Sequence, residues 1–331
     1  MIINNGKFVI SIDFELMWGV WDKMSAEEYG ENIKGVHNVI PRLLEAFRKH
    51  KVKATFATVG FLFFETKEEL LKNLPDKLPA YNNKKLSPYE SYIRSIGRDA
   101  KEDPFHYAPE LIKNILDYPE QELSTHTFCH YYCLEHGQTV DAFKADILNA
   151  QRIAHNKYNR QLTSLVFPRN QFNNEYLEVC NEVGIICIRG NEHSWLYEAR
   201  NTETESHFRR ALRLIDSYIN ISGHNCYSDK YLKSKFPIDI PASRFLRPYS
   251  PRLKPLNGMK LKRIKSGMTY AAKNNFTYHL WWHPHNFGIY QNENFSFLEE
   301  ILNHYDKLNK EYNFQSYTMT ALAKEILKDD H

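Results

Sequence analysis

Short apolar runs that alternate with amphipathic segments constrain the fold of this chain more than any other feature. The run Lys7–Phe14 is rich in Val and Ile, and over residues 32–49 apolar side chains recur at helical spacing. The same succession continues to a last predicted helix over residues 319–327. Strands that alternate with helices pair in parallel, because each helix carries the chain back across the sheet. The sequence therefore predicts an α/β fold, either wound open or closed into a barrel.

Further elements follow the same pattern along the chain. Strands are predicted over residues 52–59, 122–125, 163–167, 185–189 and 276–282. Helices are predicted near residue 68 and over residues 109–116, 140–156, 174–183, 260–273 and 295–309. Between them lie two irregular stretches, 72–105 and 198–256, which are rich in polar residues and Pro. A length of 331 residues fits one large barrel as well as two ordinary domains. We predict a single domain over residues 1–331 with insertions near 72–105 and 198–256.

Charge and cysteine content narrow the partners and the compartment. The net charge of +3 comes from 43 basic and 40 acidic residues spread along the chain, so we expect no nucleic-acid partner. No stretch approaches the roughly 18 apolar residues of a membrane span, and the first residues lack the pattern of a secretory signal. Five cysteines at irregular spacing favour reduced thiols over a disulfide framework. We therefore predict a cytoplasmic protein without a membrane span, whose oligomeric state the sequence leaves open.

Two carboxylates stand at the end of the first predicted strand. Asp13 and Glu15 are two positions apart, and side chains at positions i and i+2 of a strand point to the same face. The sequence therefore predicts that both carboxylates converge on one spot.

Two histidines follow the strand predicted over residues 122–125. His126 and His130 are four residues apart, which predicts that both imidazoles lie on one side of a helical turn, at a distance suited to a metal ion. Cys129 and Cys133 alternate with them, so a Cys and His zinc site is an alternative. Four ligands from two turns of one helix cannot surround a tetrahedral ion, and a distant carboxylate completes the shell better. We expect both cysteines to pack in the core.

Polar side chains also end two later strands. His283 and His285 follow the strand over residues 276–282, and Arg169 follows the one over residues 163–167. In β/α barrels the reactive residues lie at the carboxyl ends of the strands, so all these groups are predicted to share one rim. The alternatives are a pair of turn histidines beside Pro284 and a surface arginine.

The five tryptophans lie at or near these strand ends. Large amphipathic rings around a polar pocket suit the faces of sugars. We predict that Trp18, Trp21 and Trp282 contact substrate. For Trp281 and Trp282 a core position is equally consistent with the sequence, because adjacent strand residues point to opposite faces.

Four of these motifs, in this order, resemble those of the polysaccharide deacetylase family, the NodB-homology domain of carbohydrate esterase family four. They are SIDFE at residue 11, THTFCH at residue 125, FPRNQ at residue 167 and WWHPHN at residue 281. The resemblance extends over nearly the whole chain. It implies a distorted (β/α) barrel of seven or eight parallel strands, one divalent metal ion, usually zinc, and hydrolysis of an N-acetyl or O-acetyl group.

The resemblance also implies a role for each matching residue. It makes Asp13 the general base, Arg169 the partner of that base and His283 the general acid, with His285 bracing it or lining the sugar pocket. The implied metal ligands are Glu15, His126 and His130. The chain departs from the family pattern in three places. Phe14 separates the two acids, Pro168 precedes the arginine, and Glu192 is the one candidate for the acid that braces the late histidine.

Together these features predict a metal-dependent hydrolase that removes an acetyl group from a sugar during surface polysaccharide biosynthesis. A cytoplasmic location favours a nucleotide-linked or lipid-linked sugar over an extracellular polymer. Two alternatives stay open: a fold-related enzyme that opens a non-sugar amide, and a catalytically silent sugar-binding protein.

Overall fold

The structure, a computed structural model, describes residues 5–198 and 206–328 and contains a parallel sheet. In the described chain the strands are β1 Lys7–Phe14, β2 Ala54–Thr58, β3 Glu122–Thr125, β4 Ser164–Val166, β5 Cys187–Arg189, β6 Ile238–Asp239, β7 Arg244–Phe245, β8 Thr277–Trp282 and β9 Gln315–Tyr317. Their order in the sheet is β6-β5-β4-β3-β2-β1-β8-β7, with β9 paired to the beginning of β1. Every pairing between these strands is parallel, as the alternating pattern predicts.

One irregular segment, residues 238–245, joins the two edges of this sheet. In it, Ile238 pairs with Cys187 of β5, and Arg244 pairs with Leu280 of β8. Between the two short strands, Ala242 N donates to the Gly190 carbonyl (2.9 Å) and Ser243 N donates to the His279 carbonyl (2.8 Å). The predicted distorted (β/α) barrel is confirmed, and the distortion lies where this segment crosses from one edge to the other.

Helices surround the barrel. In the described residues they are α1 Ala26–Lys49, α2 Lys67–Lys72, α3 Tyr92–Ser95, α4 Pro109–Leu116, α5 Val140–Tyr158, α6 Asn174–Glu182, α7 His207–Asp216, α8 Asp229–Leu232, α9 Asn257–Asn274, α10 Gln291–Tyr312 and α11 Met319–Lys328. Short 3₁₀ helices are Leu16–Gly19, Gly60–Phe63, Lys84–Leu86, Pro168–Asn170, Pro251–Leu256 and Pro284–Phe287. Helix α1 begins six residues before its predicted start, because Ser25 and Glu28 form a capping box there.

The interior of the barrel changes from apolar to polar along β1. Phe8, Ile10 and Ile12 belong to the core that packs under the surrounding helices, whereas Val9 belongs to a second core that includes α11. Side chains alternate along a strand, so Ser11 and Asp13 follow Val9 into the interior. Helix α11 thus covers the end where the strands begin, and polar groups occupy the end where they finish.

The predicted insertions have different structures. The stretch 72–105 contains α3 and connecting loops. Of the stretch 198–256, residues 199–205 lie outside the described residues, while the remainder contains α7, α8 and the segment that closes the barrel. The single-domain organisation stays a prediction. None of the described helices is long and apolar enough to cross a membrane.

Candidate metal centre and active site

The end of β1 delivers two carboxylates to the interior. Asp13 is on the strand itself, and Glu15 follows it at the start of the 3₁₀ helix Leu16–Gly19. Both side chains are buried. His283 Nε2 lies 3.7 Å from Asp13 Oδ2 and 3.5 Å from Glu15 Oε1, so one imidazole faces both acids.

Glu15, His126 and His130 form a compact buried trio. Glu15 Oε2 lies 3.3 Å from His126 Nε2 and 3.1 Å from His130 Nε2. One ligand atom from each residue can be chosen so that all three are within 4.8 Å of one another, and no other such trio occurs among residues 5–198 and 206–328. The structure therefore brings together the three residues that the sequence predicts as metal ligands.

The loop that carries the two histidines is not helical, so the predicted helical turn is wrong. Thr127 and His130 both have positive φ, 64° and 61°. This shape is held from α5, because the Asp146 carboxylate accepts hydrogen bonds from Phe128 N (2.6 Å) and Cys129 N (3.1 Å). The imidazoles still meet, with ring centroids 5.1 Å apart, because the loop folds back on itself.

The chemistry of this trio fits a divalent ion. His126 Nδ1 donates to the Val166 carbonyl (2.8 Å) and Nε2 faces Glu15, so Nε2 is the ring nitrogen placed to bind a metal ion. Burial lowers the pKa of His130, although Glu15 opposes the shift, and this favours the neutral ligand form. Burial alone would raise the pKa of Glu15, but His283 and the two other histidines hold it well below its ordinary value. Two neutral imidazoles and one carboxylate are a ligand set that catalytic zinc sites use.

The cysteines that alternate with these histidines take no part in the trio. Cys129 and Cys133 are buried in the apolar core, and burial raises the pKa of both thiols well above the ordinary value. A thiol that stays protonated is a poor metal ligand. The geometry favours the predicted packing role over a Cys and His zinc site.

Asp13 has a different arginine partner from the one predicted. The Arg189 guanidinium, at the end of β5, donates to Asp13 Oδ1 (2.6 Å) and to Asp13 Oδ2 (2.8 Å). Burial alone would raise the pKa of Asp13, but the charge and hydrogen bonds of Arg189, together with His126 and His283, lower it below the ordinary value. Arg169 instead pairs with Asp22 and stacks on the Tyr132 ring. The signal that could have identified Arg189 is its place at the carboxyl end of a predicted strand.

The two late histidines differ in exposure. The His283 side chain is 23% exposed, whereas the His285 side chain is 4% exposed behind it, and the two rings stack at 4.8 Å. Burial lowers the pKa of His285 to about 3, helped by the charge of His283. Asn286 lies 3.4 Å from His283 Nδ1, in the bracing position for which the sequence suggested Glu192.

Comparison with known proteins agrees with this geometry. A family model described as polysaccharide deacetylase matches residues 29–188. This match confirms the resemblance to the polysaccharide deacetylase family that the sequence motifs indicate. A search of curated proteins finds no match.

Solved structures of other proteins share the fold of this chain. A Mycobacterium smegmatis protein assigned to the polysaccharide deacetylases aligns with a TM-score of 0.61 at 11% identity, covering 100% of this chain and 93% of that one. A Pseudomonas aeruginosa PAO1 protein with the same assignment aligns with a TM-score of 0.55 at 9% identity, covering 99% and 93%. The Puue allantoinase aligns with a TM-score of 0.56 at 10% identity, covering 100% and 93%.

Two of the three tryptophans predicted to contact substrate lie in the core. Trp18 and Trp282 are fully buried in the core, so neither side chain can reach a substrate. Trp18 Nε1 donates to the His106 carbonyl (2.8 Å), and Trp21 stacks on Tyr92. Of the adjacent pair on β8, Trp281 is the one that faces a cavity, because the parity of the strand turns Trp282 outward to the helices.

A cavity of 230 Å³ is lined by residues that contact His283 and Arg189, although neither Asp13 nor Glu15 lines it. Its wall includes Trp281 and Phe245, whose rings contact His283 with centroids 5.6 and 5.9 Å away. Glu192 also lines it, and burial raises the pKa of this carboxyl to about 7. A larger cavity of 720 Å³ lies at the other end of the barrel near Val52, away from the trio. The smaller one is the candidate substrate pocket.

Proposed function

We propose that this protein is a metal-dependent hydrolase that removes an acetyl group, most directly an N-acetyl group, from a sugar. The observation that carries the proposal is the position of Asp13 beside the trio of Glu15, His126 and His130. Metal binding would need only the trio. Asp13 is a further carboxylate, which Arg189 keeps ionised, and it can act as a general base.

The residues around the trio can divide the work of amide hydrolysis. Lewis-acid polarisation of the acetyl carbonyl and a lowered pKa for water are the chemistry that a divalent ion, such as zinc, would supply here. Asp13 accepts the proton of the attacking water. His283, the more exposed of the two late histidines and 3.7 Å from Asp13, returns a proton to the leaving nitrogen. Arg189 positions Asp13 and acts through it.

The candidate pocket supports a sugar joined to an anionic carrier. Arg169, Arg213 and Arg247 line the pocket together with Trp281. An aromatic face can pack against a sugar ring, and one guanidinium group can donate two parallel hydrogen bonds to phosphate oxygens. We propose a nucleotide-linked or lipid-linked acetamido sugar as substrate, in glycan biosynthesis. All five cysteines are free thiols, which supports a cytoplasmic location.

The experiment is a screen for acetate release from nucleotide-linked and lipid-linked acetamido sugars by the zinc-loaded protein. Asp13→Asn is the matched control, because the amide is nearly isosteric and cannot accept the proton. We expect acetate and free amine in equal amounts from the wild type, and a rate lower by about 10² to 10⁴ in Asp13→Asn with its metal retained.

Other outcomes would change the proposal in defined ways. Loss of metal in Asp13→Asn, with retention in Glu15→Gln, would exchange the roles of the two acids. Hydrolysis of non-sugar amides alone would favour the fold-related amidohydrolase. Sugar binding without release of acetate from any carrier would favour a catalytically silent protein.

A further inference from the structure

A fully buried histidine that the proposed chemistry does not use contacts β1 just before the two acids. It is His279 of β8. Its Nδ1 lies 2.9 Å from the carbonyl oxygen of Ile240, in the segment that closes the barrel, and its Nε2 lies 2.9 Å from Ser11 Oγ. A buried ring with two polar contacts either fills the core or belongs to a network, and the direction of its hydrogen bonds distinguishes the two.

The chemistry of the groups fixes that direction. A carbonyl oxygen only accepts, so His279 Nδ1 carries the proton that it donates to Ile240. Burial, and then the charge of Arg189, lower the pKa of His279 to about 3, so the ring is neutral and its Nε2 is an acceptor. The Ser11 hydroxyl therefore donates its proton to Nε2, and its oxygen is left to accept.

The oxygen of Ser11 accepts from the arginine that holds the proposed base. Arg189 Nη1 lies 3.0 Å from Ser11 Oγ, and the same guanidinium donates to both carboxylate oxygens of Asp13. The bonds thus run one way, from the arginine through the serine and the histidine to the backbone carbonyl of the closing segment.

This chain of hydrogen bonds restrains the guanidinium of Arg189. Two parallel bonds to Asp13 would let the ion pair shift as a unit, whereas a third bond to Ser11 ties it to β1, and the Trp281 ring packs 4.1 Å from the Arg189 Cζ. The Ser11 hydroxyl cannot turn away without losing its acceptor, His279 Nε2. A base must be held precisely, because a displacement of about 1 Å can slow catalysis about 10²-fold.

We propose that Ser11 and His279 are positioning residues, which hold Arg189, and through it Asp13, in the orientation in which Asp13 takes the proton of water. The inference rests on the proposed function, in which Asp13 is the base. Neither Ser11 nor His279 is among the described residues that line the candidate pocket, so the loss of either should change turnover more than KM. A histidine that only filled the core would change stability and leave the turnover of folded protein alone.

The test is a double-variant cycle on acetate release from UDP-N-acetylglucosamine, or from the best acetamido sugar of the screen if that one is not hydrolysed. Ser11→Ala should lower kcat about 10-fold, with KM and metal content nearly unchanged. Because Ser11 acts through Arg189, Ser11→Ala with Arg189→Lys should be hardly slower than Arg189→Lys alone. The control, Ser316→Ala, removes a buried serine hydroxyl that bonds to the Lys53 backbone where the strands begin, and should turn over like the wild type.

Two substitutions of His279 separate positioning from support of the core. Asn places its amide near the position of Nδ1 and can still donate to Ile240, whereas Gln places its amide near Nε2 and can still accept from Ser11. We expect folded His279→Gln to keep more turnover than folded His279→Asn. Equal turnover, or the reverse ranking, would overturn the proposal. This pair also decides the question if Ser11→Ala does not fold.

Nitrogen NMR of the labelled protein adds a readout that needs no turnover. His279 should show a neutral ring protonated at Nδ1, and the Arg189 Nη1 proton signal should shift in Ser11→Ala. A ring protonated at Nε2, or losses that multiply in the double variant, would contradict the proposal. Wild-type turnover that Ser11→Ala and both His279 variants retain contradicts the positioning alone. Absence of acetate from every sugar, with both expected NMR signals, contradicts deacetylation alone.

Discussion

Two carboxylates at opposite ends of the barrel have surroundings of different kinds. Where the strands begin, Glu122 of β3 accepts hydrogen bonds from the hydroxyls of Thr55 (2.7 Å), Ser164 and Thr320, and from Thr320 N (3.1 Å). Where the strands end, Glu15 faces four imidazole rings. One acid is surrounded by hydroxyl and amide donors, and the other by imidazole nitrogens.

The difference separates a stabilising cluster from a reactive one. Hydroxyl and N–H donors satisfy the oxygens of Glu122, which needs no ligand to stay where it is. The His126 ring donates its Nδ1 proton to Val166, and its Nε2 lies 3.3 Å from Glu15 Oε2. These two groups, with His130, would hold a cation between them. The following predictions test that contrast.

Removing the imidazoles should have the largest effect. Wild-type protein should hold about one divalent ion per chain after dialysis, and His126→Ala with His130→Ala should hold almost none, because Glu15 alone cannot retain the ion. Mass spectrometry of the metal content measures this. His155→Ala with His304→Ala, on outer helices, is the control. Unchanged metal content in the first double variant would exclude the trio as the site.

The late histidines provide the second test. His283→Ala should lower turnover by about 10² to 10⁴ and change KM far less, because its proton is needed in the transition state. An acid catalyst must be protonated to act, and it loses its proton as the pH rises. The alkaline limb of the pH–rate profile should therefore also change in His283→Ala. His285→Ala should retain more turnover, because that ring is buried behind His283. The reverse ranking of the two variants would move the acid role to His285.

The parts of this contrast that depend on local sequence could be predicted. Strands β1 and β3 and helix α4 have the predicted bounds. Their signals are local: short runs mark the strands, and helical periodicity with Pro109 at the first position marks α4. The trio was also predicted, since each member follows a strand. The loop around His130 was not, because its backbone is held by Asp146 from a helix that lies later in the chain.

Other features depend on which way a side chain faces, and that is decided by tertiary pairing. Arg169 and Arg189 both end predicted strands, and only the closed barrel shows that Arg189 reaches Asp13. The choice between Trp281 and Trp282 depends on the parity of β8 in the barrel.

A third prediction compares the two arginines. Arg189→Lys should lower turnover about 10-fold to 100-fold, because a lysine cannot make the paired hydrogen bonds to Asp13. The charge of Arg189 lowers the pKa of Asp13, so weakening that contact should raise this pKa. Since Asp13 must be ionised to act, the acidic limb of the pH–rate profile should move to higher pH. Arg169→Lys should change KM and leave that limb in place. Equal shifts in both variants would contradict the assignment.

The smallest effect is expected at the stabilising end. Glu122→Gln replaces one acceptor oxygen with an NH₂ group that faces hydroxyl donors, so at least one buried hydrogen bond is lost. The free energy of unfolding should fall by about 1 to 3 kcal/mol, measured by chemical denaturation, while metal content and turnover at a temperature where the protein is folded stay at wild-type values. Glu120→Gln removes a nearby exposed acid whose contact is Lys53 at 3.5 Å, and should change stability by less than about 1 kcal/mol. If Glu122→Gln lowered turnover as strongly as His283→Ala without loss of stability, the two ends of the barrel would be coupled, and the division between a stabilising and a reactive carboxylate would fail.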